Sequence, residues 1–230
     1  LSSITLTPRA DGRLKVYQEP NPGDIYALGA DVAEGLELGD FSSVFVINKR
    51  LEHCASWHGK MDPDLFGELV CKIGSFYNQA LVAVEINNHG HATMAQVKRK
   101  GYLNVYTRQI KEERSEAYTK KIGWHSNKKS KMLMLDEFVA AVREGTLQLW
   151  DQALLREMMT LVIEPGGDIL MGGKDRVVAA CIALQAIKQA HSNDWGAIWP
   201  AEDIKRPANL REKLKLLEKK SKRARGSQFE

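Results

Sequence analysis

The sequence predicts an α/β domain with a mixed central β-sheet flanked by helices, and three observations carry that expectation. Strand-like runs at 25–33, 41–48 and 53–58 follow closely, the last two joined by a four-residue turn, which suggests an antiparallel meander. A short, continuously apolar run at 81–86 suits a central strand buried on both faces. From Asp62 onward helical periods alternate with further strand-like runs, the pattern of helices laid on a sheet. With 230 residues the chain fits one large domain, or one domain with appendages. Its 43% hydrophobic content is ordinary for a protein with a real core.

Residues 1–23 have weak periodicity and read as a lead-in with one short strand at 14–17. Asp62 stands where an N-cap belongs and Pro63 at the first helical position. Leu65, Leu69, Ile73 and Phe76 then recur at helical spacing up to about Tyr77. A helix over 91–100 is closed by Gly101, and a strand follows at 103–107. Residues 111–130 are polar with both signs of charge and read as a long loop, the kind of segment that carries function in compact domains. A helix at 131–143, a brief strand at 147–150, a helix at 152–160 and a hairpin at 161–171 about Gly166-Gly167 come next. Asp175 then opens an alanine-rich, strongly apolar helix to about Ala190. Pro200 and Pro207 mark a linker, and Leu210, Leu214 and Leu217 share one face of a short Lys-studded helix. The expected organisation is a lead-in at 1–23, a domain at 24–200 and a basic C-terminal tail at 201–230, without internal repeats.

Charge is unevenly placed. Between Lys205 and Arg225 ten Lys or Arg residues face only Glu212 and Glu218, a local +8 that leaves the rest of the chain at −4 out of a total of +4. A uniformly basic nucleic-acid coat is thereby excluded, while the tail suits salt-sensitive DNA affinity or docking to a partner. Cys54, Cys71 and Cys181 lack Cys-x-x-Cys spacing and are expected to be buried, reduced thiols. No apolar stretch approaches the roughly 18 residues of a membrane span, and no signal peptide opens the chain.

Chemistry is expected where acids interrupt apolar elements. Asp31 ends the apolar run of the first long strand, where a carboxylate is costly unless its charge is compensated. Glu85 ends the 81–86 strand, Asp175 opens the apolar helix, and Asp40 precedes the 41–48 strand. Each has a bland role available: a helix N-terminal charge for Asp175, a turn for Asp40, an Arg partner for Glu85. Together they fit a cluster at the centre of the sheet suited to hard divalent cations. Magnesium takes oxygen ligands and binds through a few carboxylates plus substrate phosphate. Two such ions, roughly 3.5–4 Å apart, would clamp the attacking water and the leaving oxygen of a phosphoryl displacement. Without them the carboxylates repel one another.

These residues resemble a known family. Gly29-Ala30-Asp31-Val32-Ala33-Glu34-Gly35 with Asp40-Phe41-Ser42, then Val84-Glu85-Ile86-Asn87 with Gly90, are similar to the nuclease domain of bacteriophage terminase large subunits. Ile122-Gly123-Trp124-His125-Ser126-Asn127 followed by Lys131 looks like that family's Gly-aromatic-x-Thr segment, with Ser126 in the Thr place, and Asp175-Arg176-Val177-Val178-Ala179 looks like its final acidic motif. The similarity runs in order from about residue 25 to 190. It implies an RNase H-like fold and a two-metal, Mg²⁺- or Mn²⁺-dependent endonuclease. Such an enzyme cuts double-stranded DNA concatemers during genome packaging in the host cytoplasm, with little sequence specificity. Carried over residue by residue, Asp31, Glu85 and Asp175 would be the catalytic metal triad and Asp40 an auxiliary ligand. Portal and small terminase subunit are the partners implied. The family's motor half needs a Gly-rich phosphate loop ending in Gly-Lys-Ser/Thr, which this sequence lacks; the ATPase is therefore expected upstream of Leu1, which is not an initiator. One departure stands out: where the family often has His or Asp before the last acid, this chain has Lys174, a residue able to contact the scissile phosphate.

Beside such a site, Lys111, Arg114, Lys120, Lys121, Lys128, Lys129 and Lys131 are expected to hold the DNA backbone, contacts that position a duplex without reading it. The i, i+2 spacing of His89 and His91 argues against a joint metal site, and His125 suits a surface or DNA contact. Trp57, Trp124, Trp150, Trp195 and Trp199 are spread widely and read as packing rather than a base-stacking platform. Two rival functions share these features. An actin-like ATPase or sugar kinase also opens with a strand–acid–turn–Ser segment, but needs a second phosphate loop and about twice this length. A noncatalytic DNA- or portal-docking module could keep the fold, with Lys174 as its best argument.

Overall fold

A computed structural model describes residues 4, 6–36, 39–86, 89–111, 118–163, 169–170 and 172–190. Strands β1 (Leu14–Val16), β2 (Tyr26–Asp31), β3 (Ser42–Asn48), β4 (His53–Gly59) and β5 (Leu81–Val84) form one sheet in the order β1-β4-β3-β2-β5. β2, β3 and β4 are the antiparallel meander that the short turns require, and β1 pairs antiparallel with β4, so part of the lead-in belongs to the sheet. β5 lies parallel to β2, a pairing only a long crossover can make; helix α1 (Pro63–Phe76) supplies it. As its sequence predicts, α1 is capped by Asp62, whose side chain accepts from the Asp64 N–H at 2.9 Å, and begins at Pro63.

Alternation along the strands decides which face each residue serves. Ala27, Phe45, Ile47, Leu81 and Ala83 pack with helix α5 (Asp175–Ile187), while Trp57 and Tyr26 on the other face meet Phe66 and Tyr77 from the region of α1. Helix α2 (Gly90–Arg99) pairs with α1; α3 (Lys128–Arg143) and α4 (Gln152–Met159) pack beside α5. The result is three layers with α5 at the centre of one of them. Its run of Ala179, Ala180, Ala183 and Ala186, all buried, lets its backbone lie close to the sheet.

Several segments differ from their sequence-based expectation for local reasons. β5 is the last named strand rather than a central one, but its outer edge is covered by single bridges, Val82 to Val105 and Glu85 to Trp124. The strand expected at 103–107 is only that bridge, and the one expected at 147–150 is likewise a single bridge, Gln148 to Glu52. Within the loop expected at 111–130, the described residues include strand: β6 (Thr107–Lys111) and β7 (Tyr118–Ile122) form a two-stranded antiparallel sheet, while 112–117 lie outside the described residues. α3 begins at Lys128 because Asn127 caps it, accepting from the Ser130 N–H at 2.9 Å while Ser130 Oγ accepts from the Asn127 N–H at 2.8 Å. β8 (Val162–Ile163) and β9 (Ile169–Leu170) pair antiparallel, as the expected hairpin requires; its turn about Gly166-Gly167 lies outside the described residues. The expectations for Pro200, Pro207, the Leu210–Leu214–Leu217 face and the basic tail lie outside the described residues. The three cysteines are free and buried, with burial pushing the Cys54 and Cys71 thiols up to about 12. Among the described residues no helix is long and apolar enough to cross a membrane.

Candidate metal centre and nucleic-acid cleft

Register and parity bring three of the predicted acids together. Asp31 continues the Ala27–Gly29 parity of β2 and Glu85 the Leu81–Ala83 parity of β5, so both carboxylates fall on the α5 face. Ala30 is paired with Val84, and the Glu85 N–H donates to the Ala30 carbonyl at 2.9 Å, which sets Asp31 and Glu85 side by side. Asp175 reaches them from above. Gly29 touches α5 at Ala179 and Ala183. From Gly29 to Asp31 the strand rises roughly 6.6 Å, and from Ala179 back to Asp175 the helix rises roughly 6 Å. The equal lengths bring the first residue of α5 over the end of β2.

Two backbone clasps fix Glu85. The Ile86 N–H donates to the Trp124 carbonyl at 2.6 Å and the Trp124 N–H to the Val84 carbonyl at 2.8 Å, so the Gly-Trp-His-Ser segment extends the sheet past the acid. On the other side α2 starts against it: a Cβ at Gly90 would sit 1.8 Å from the Glu85 carbonyl oxygen, an approach only glycine allows. Trp124 Nε1 and Ser126 Oγ are buried here without a hydrogen-bond partner among the described residues.

The acids line a cleft of about 700 Å³ together with Val32, Glu34, Phe41, His89 and Lys131. Burial, then the charge of Glu85, its hydrogen bond to Asp31 and the charge of Asp175, push the Asp31 carboxyl well above the usual carboxylate range, and the Lys131 ammonium pulls partly the other way. Burial and like charge therefore favour the protonated form of Asp31 while no cation is bound. Among the described residues no three His, Cys, Asp or Glu side chains gather tightly enough to cage an ion. An all-carboxylate set under mutual repulsion has the donor chemistry that suits Mg²⁺ or Mn²⁺, and cation binding there would favour the ionised carboxylates.

Asp40 is exposed on the rim of the same cleft. Among the described residues, Lys131, half-buried, is the one predicted DNA contact that lines it. Lys120 and Lys121 stand exposed on β7, and Lys128 and Lys129 in the first turn of α3. Lys111 ends β6, and Arg114 lies outside the described residues. Lys174 does not line the cleft; its Nζ donates to Thr160 Oγ1 at 2.6 Å.

Three participants escaped the sequence. His58 Nε2 stands 3.6 Å from Asp175 Oδ2, and its ring stacks on Phe41 at 4.7 Å. Its position follows from register, since Ser43 pairs with both Asp31 and His58 across the sheet. His89 Nε2 lies 3.0 Å from Glu34 Oε1, both on the cleft wall, whereas His91 is exposed. Alternation along β4 could have flagged His58; the Glu34–His89 pair joins two loops and left no local signal.

A carboxylate cleft at the ends of parallel β2 and β5, with α5 laid across the sheet, defines an RNase H-like α/β fold. More particularly, the fold is that of large-terminase nuclease domains. The nuclease domain of the large terminase from thermophilic phage G20c, solved with bound magnesium, matches with a TM-score of 0.62 at 15% identity, over 80% of this chain and 92% of the other. Its cobalt-bound structure matches with a TM-score of 0.61 at 16% identity, over the same shares. The large-terminase nuclease domain of Thermus phage P74-26 matches with a TM-score of 0.59 at 15% identity, over 79% and 89% of the two chains. At such identities the likeness is one of fold. No protein-family model matches the sequence, and no curated protein matches it.

Proposed function

We propose that this chain is a divalent-metal-dependent endonuclease domain that cleaves double-stranded DNA during phage genome packaging, by two-metal hydrolysis with little sequence specificity. The observation that carries the proposal is the meeting of Asp31, Glu85 and Asp175 in one cleft, where burial and the charges of the other two acids raise the Asp31 carboxyl well above the usual range. Asp31, Glu85 and Asp175 would hold the cations, with Asp40 as an auxiliary ligand from the rim. When bound, the pair of ions supplies an activated water and stabilises the departing 3′ oxygen. Lys131 offsets the charge that builds up when phosphate enters a cleft of carboxylates. Lys120, Lys121, Lys128 and Lys129, with Lys111 and Arg114, bear on the duplex backbone and carry no sequence information. A role for Lys174 at the scissile phosphate requires its ammonium to leave Thr160. Portal, small terminase subunit and an ATPase half are the partners this function brings with it, and the host cytoplasm its compartment.

Supercoiled plasmid incubated with the chain is expected to be nicked and linearised in Mg²⁺ or Mn²⁺ and to stay intact in EDTA. DNA retardation without cleavage in either metal would replace the nuclease with a docking module. ATP hydrolysis without cleavage would favour the kinase-like rival. A second expectation concerns the hairpin. In the double variant Lys120→Ala with Lys121→Ala, the slope of log affinity against log salt should become shallower by about 0.9 for each phosphate no longer neutralised. Fluorescence anisotropy on a short duplex at several salt concentrations reads this, and an unchanged slope would remove the hairpin from the DNA surface.

A further inference from the structure

We propose that α4 is a bracket that aims Asp175, with Glu157 as its positioning residue; the inference rests on the nuclease proposal and adds a residue to it. The first N–H groups of any helix lack internal partners and need an acceptor from elsewhere. The residue that should provide one for α5 is Lys174, whose side chain has no acceptor and makes no cap hydrogen bond. Glu157, at the far end of α4, does so instead. Its Oε2 accepts from the Arg176 N–H at 3.0 Å and the Val177 N–H at 3.3 Å, and its Oε1 accepts from Arg176 Nη1. The Glu157 side chain is 13% exposed, so little water competes for these charge-assisted bonds.

The same end of α4 also takes hold of Lys174, through Thr160 Oγ1. Both neighbours of Asp175 are therefore tied to one helix, and Asp175 between them lines the cleft. The other end of α4 is anchored to the sheet. Asp151, only 3% exposed, caps α4 by accepting from the Ala153 N–H at 3.0 Å and accepts from Ser56 Oγ on β4 at 3.0 Å. Arg176 Nε lies 4.0 Å from the same carboxylate. Thus β4, which carries His58, α4 and the first turn of α5 form one connected frame behind the carboxylate. Rotation of that turn moves Asp175 relative to Asp31 and Glu85, and a misplacement of about 1 Å can cost about a hundredfold in rate.

The test compares Glu157→Ala and Glu157→Asp with wild type in the 230-residue chain. Plasmid cleavage is read across a Mn²⁺ titration, Mn²⁺ binding by electron paramagnetic resonance, and duplex affinity by anisotropy. Glu157→Ala is expected to raise the Mn²⁺ concentration for half-maximal cleavage, and the Mn²⁺ dissociation constant, by about tenfold or more, the effect typical of lost outer-shell partners, while duplex affinity stays the same. If Glu157→Ala melts below the assay temperature, Glu157→Asp decides: its carboxylate survives but falls one methylene short. A folded variant with wild-type Mn²⁺ binding and half-saturation overturns the bracket, as does a variant whose duplex affinity alone falls. Should the wild-type chain not cleave at all, the nuclease proposal fails, and the Mn²⁺ binding constants still decide the bracket.

Discussion

Asp31→Asn is expected to leave no detectable plasmid cleavage in Mg²⁺ or Mn²⁺, while the metal-free variant melts at a higher temperature than wild type. The two halves have one cause. Asp31 sits against Glu85 and faces Asp175, and burial with these like charges drives its carboxyl well above the usual range. The folded chain therefore holds a proton that the unfolded chain, with an ordinary carboxyl near about 3.9, has already released. Stability is complete below the unfolded pKa, falls as pH rises towards the folded pKa, and stays at the lower level above it. Asn carries no charge and its amide can donate to Glu85, so the variant lacks this loss. Each kcal/mol relieved should raise the melting temperature by about 2–4 °C in a domain of this size. Catalysis goes the other way. A cation that loses an anionic ligand between two other acids is held less well, and about 4 kcal/mol of lost transition-state stabilisation is already about a thousandfold in rate. Calorimetry from pH 4 to 8 without metal should show the two melting temperatures diverging as pH rises. Parallel curves, or a variant that nicks at the wild-type rate, would remove Asp31 from the centre of the site. Added Mn²⁺ should narrow the gap by stabilising wild type more than the variant, since a ligand at a hundred times its dissociation constant contributes about 2.7 kcal/mol.

What could be read in the sequence was what local chemistry dictates. The β2–β4 meander, the Asp62 cap and the apolar α5 follow from two-residue alternation, an Asp-Pro start and an unbroken apolar run, none of which depends on distant residues. The three acids were visible because each interrupts such a pattern. The β6–β7 hairpin was not, because its pairs, Arg108 with Lys121 and Gln109 with Lys120, are polar and show no apolar alternation. The start of α3 was missed because Ser130 closes the Asn127 capping box in place of the Glu or Gln that usually signals one. His58 depends on the register of β3 and β4, which shifts between Val46 and Ile47; a one-residue slip would turn it to the opposite face. Glu157 acts on α5 from another helix, and no spacing rule connects the two.

Gly29→Val is expected to damage the fold severely, and its sign opposes what local preference predicts. Gly weakens a strand and Val favours one, so propensity alone forecasts a gain for a residue in the middle of β2. The packing forecasts the reverse. A Cβ at Gly29 would lie 2.1 Å from the Ala179 carbonyl oxygen and 2.4 Å from the Ala183 nitrogen, both backbone atoms of α5 that no rotamer change can withdraw. Room can come only from lifting α5 off β2, which opens the core where Ala27, Phe45, Ile47 and Ala83 meet that helix. Overpacking costs about 1–3 kcal/mol when side chains can shift and more when they cannot. A loss of about 3 kcal/mol corresponds to a melting temperature lower by about 6–12 °C at this size, and Val, with two further methyl groups, should exceed that or fail to fold. Gly29→Ala is the informative companion, because a chain that still folds must hold α5 further out. Asp175 then stands away from Asp31 and Glu85, so Mn²⁺ binding should weaken even where circular dichroism shows a native spectrum. A Gly29→Ala chain that melts at or above the wild-type temperature and binds Mn²⁺ unchanged would mean that the distance between Asp31 and Asp175 is not set by the contact of α5 with the strand.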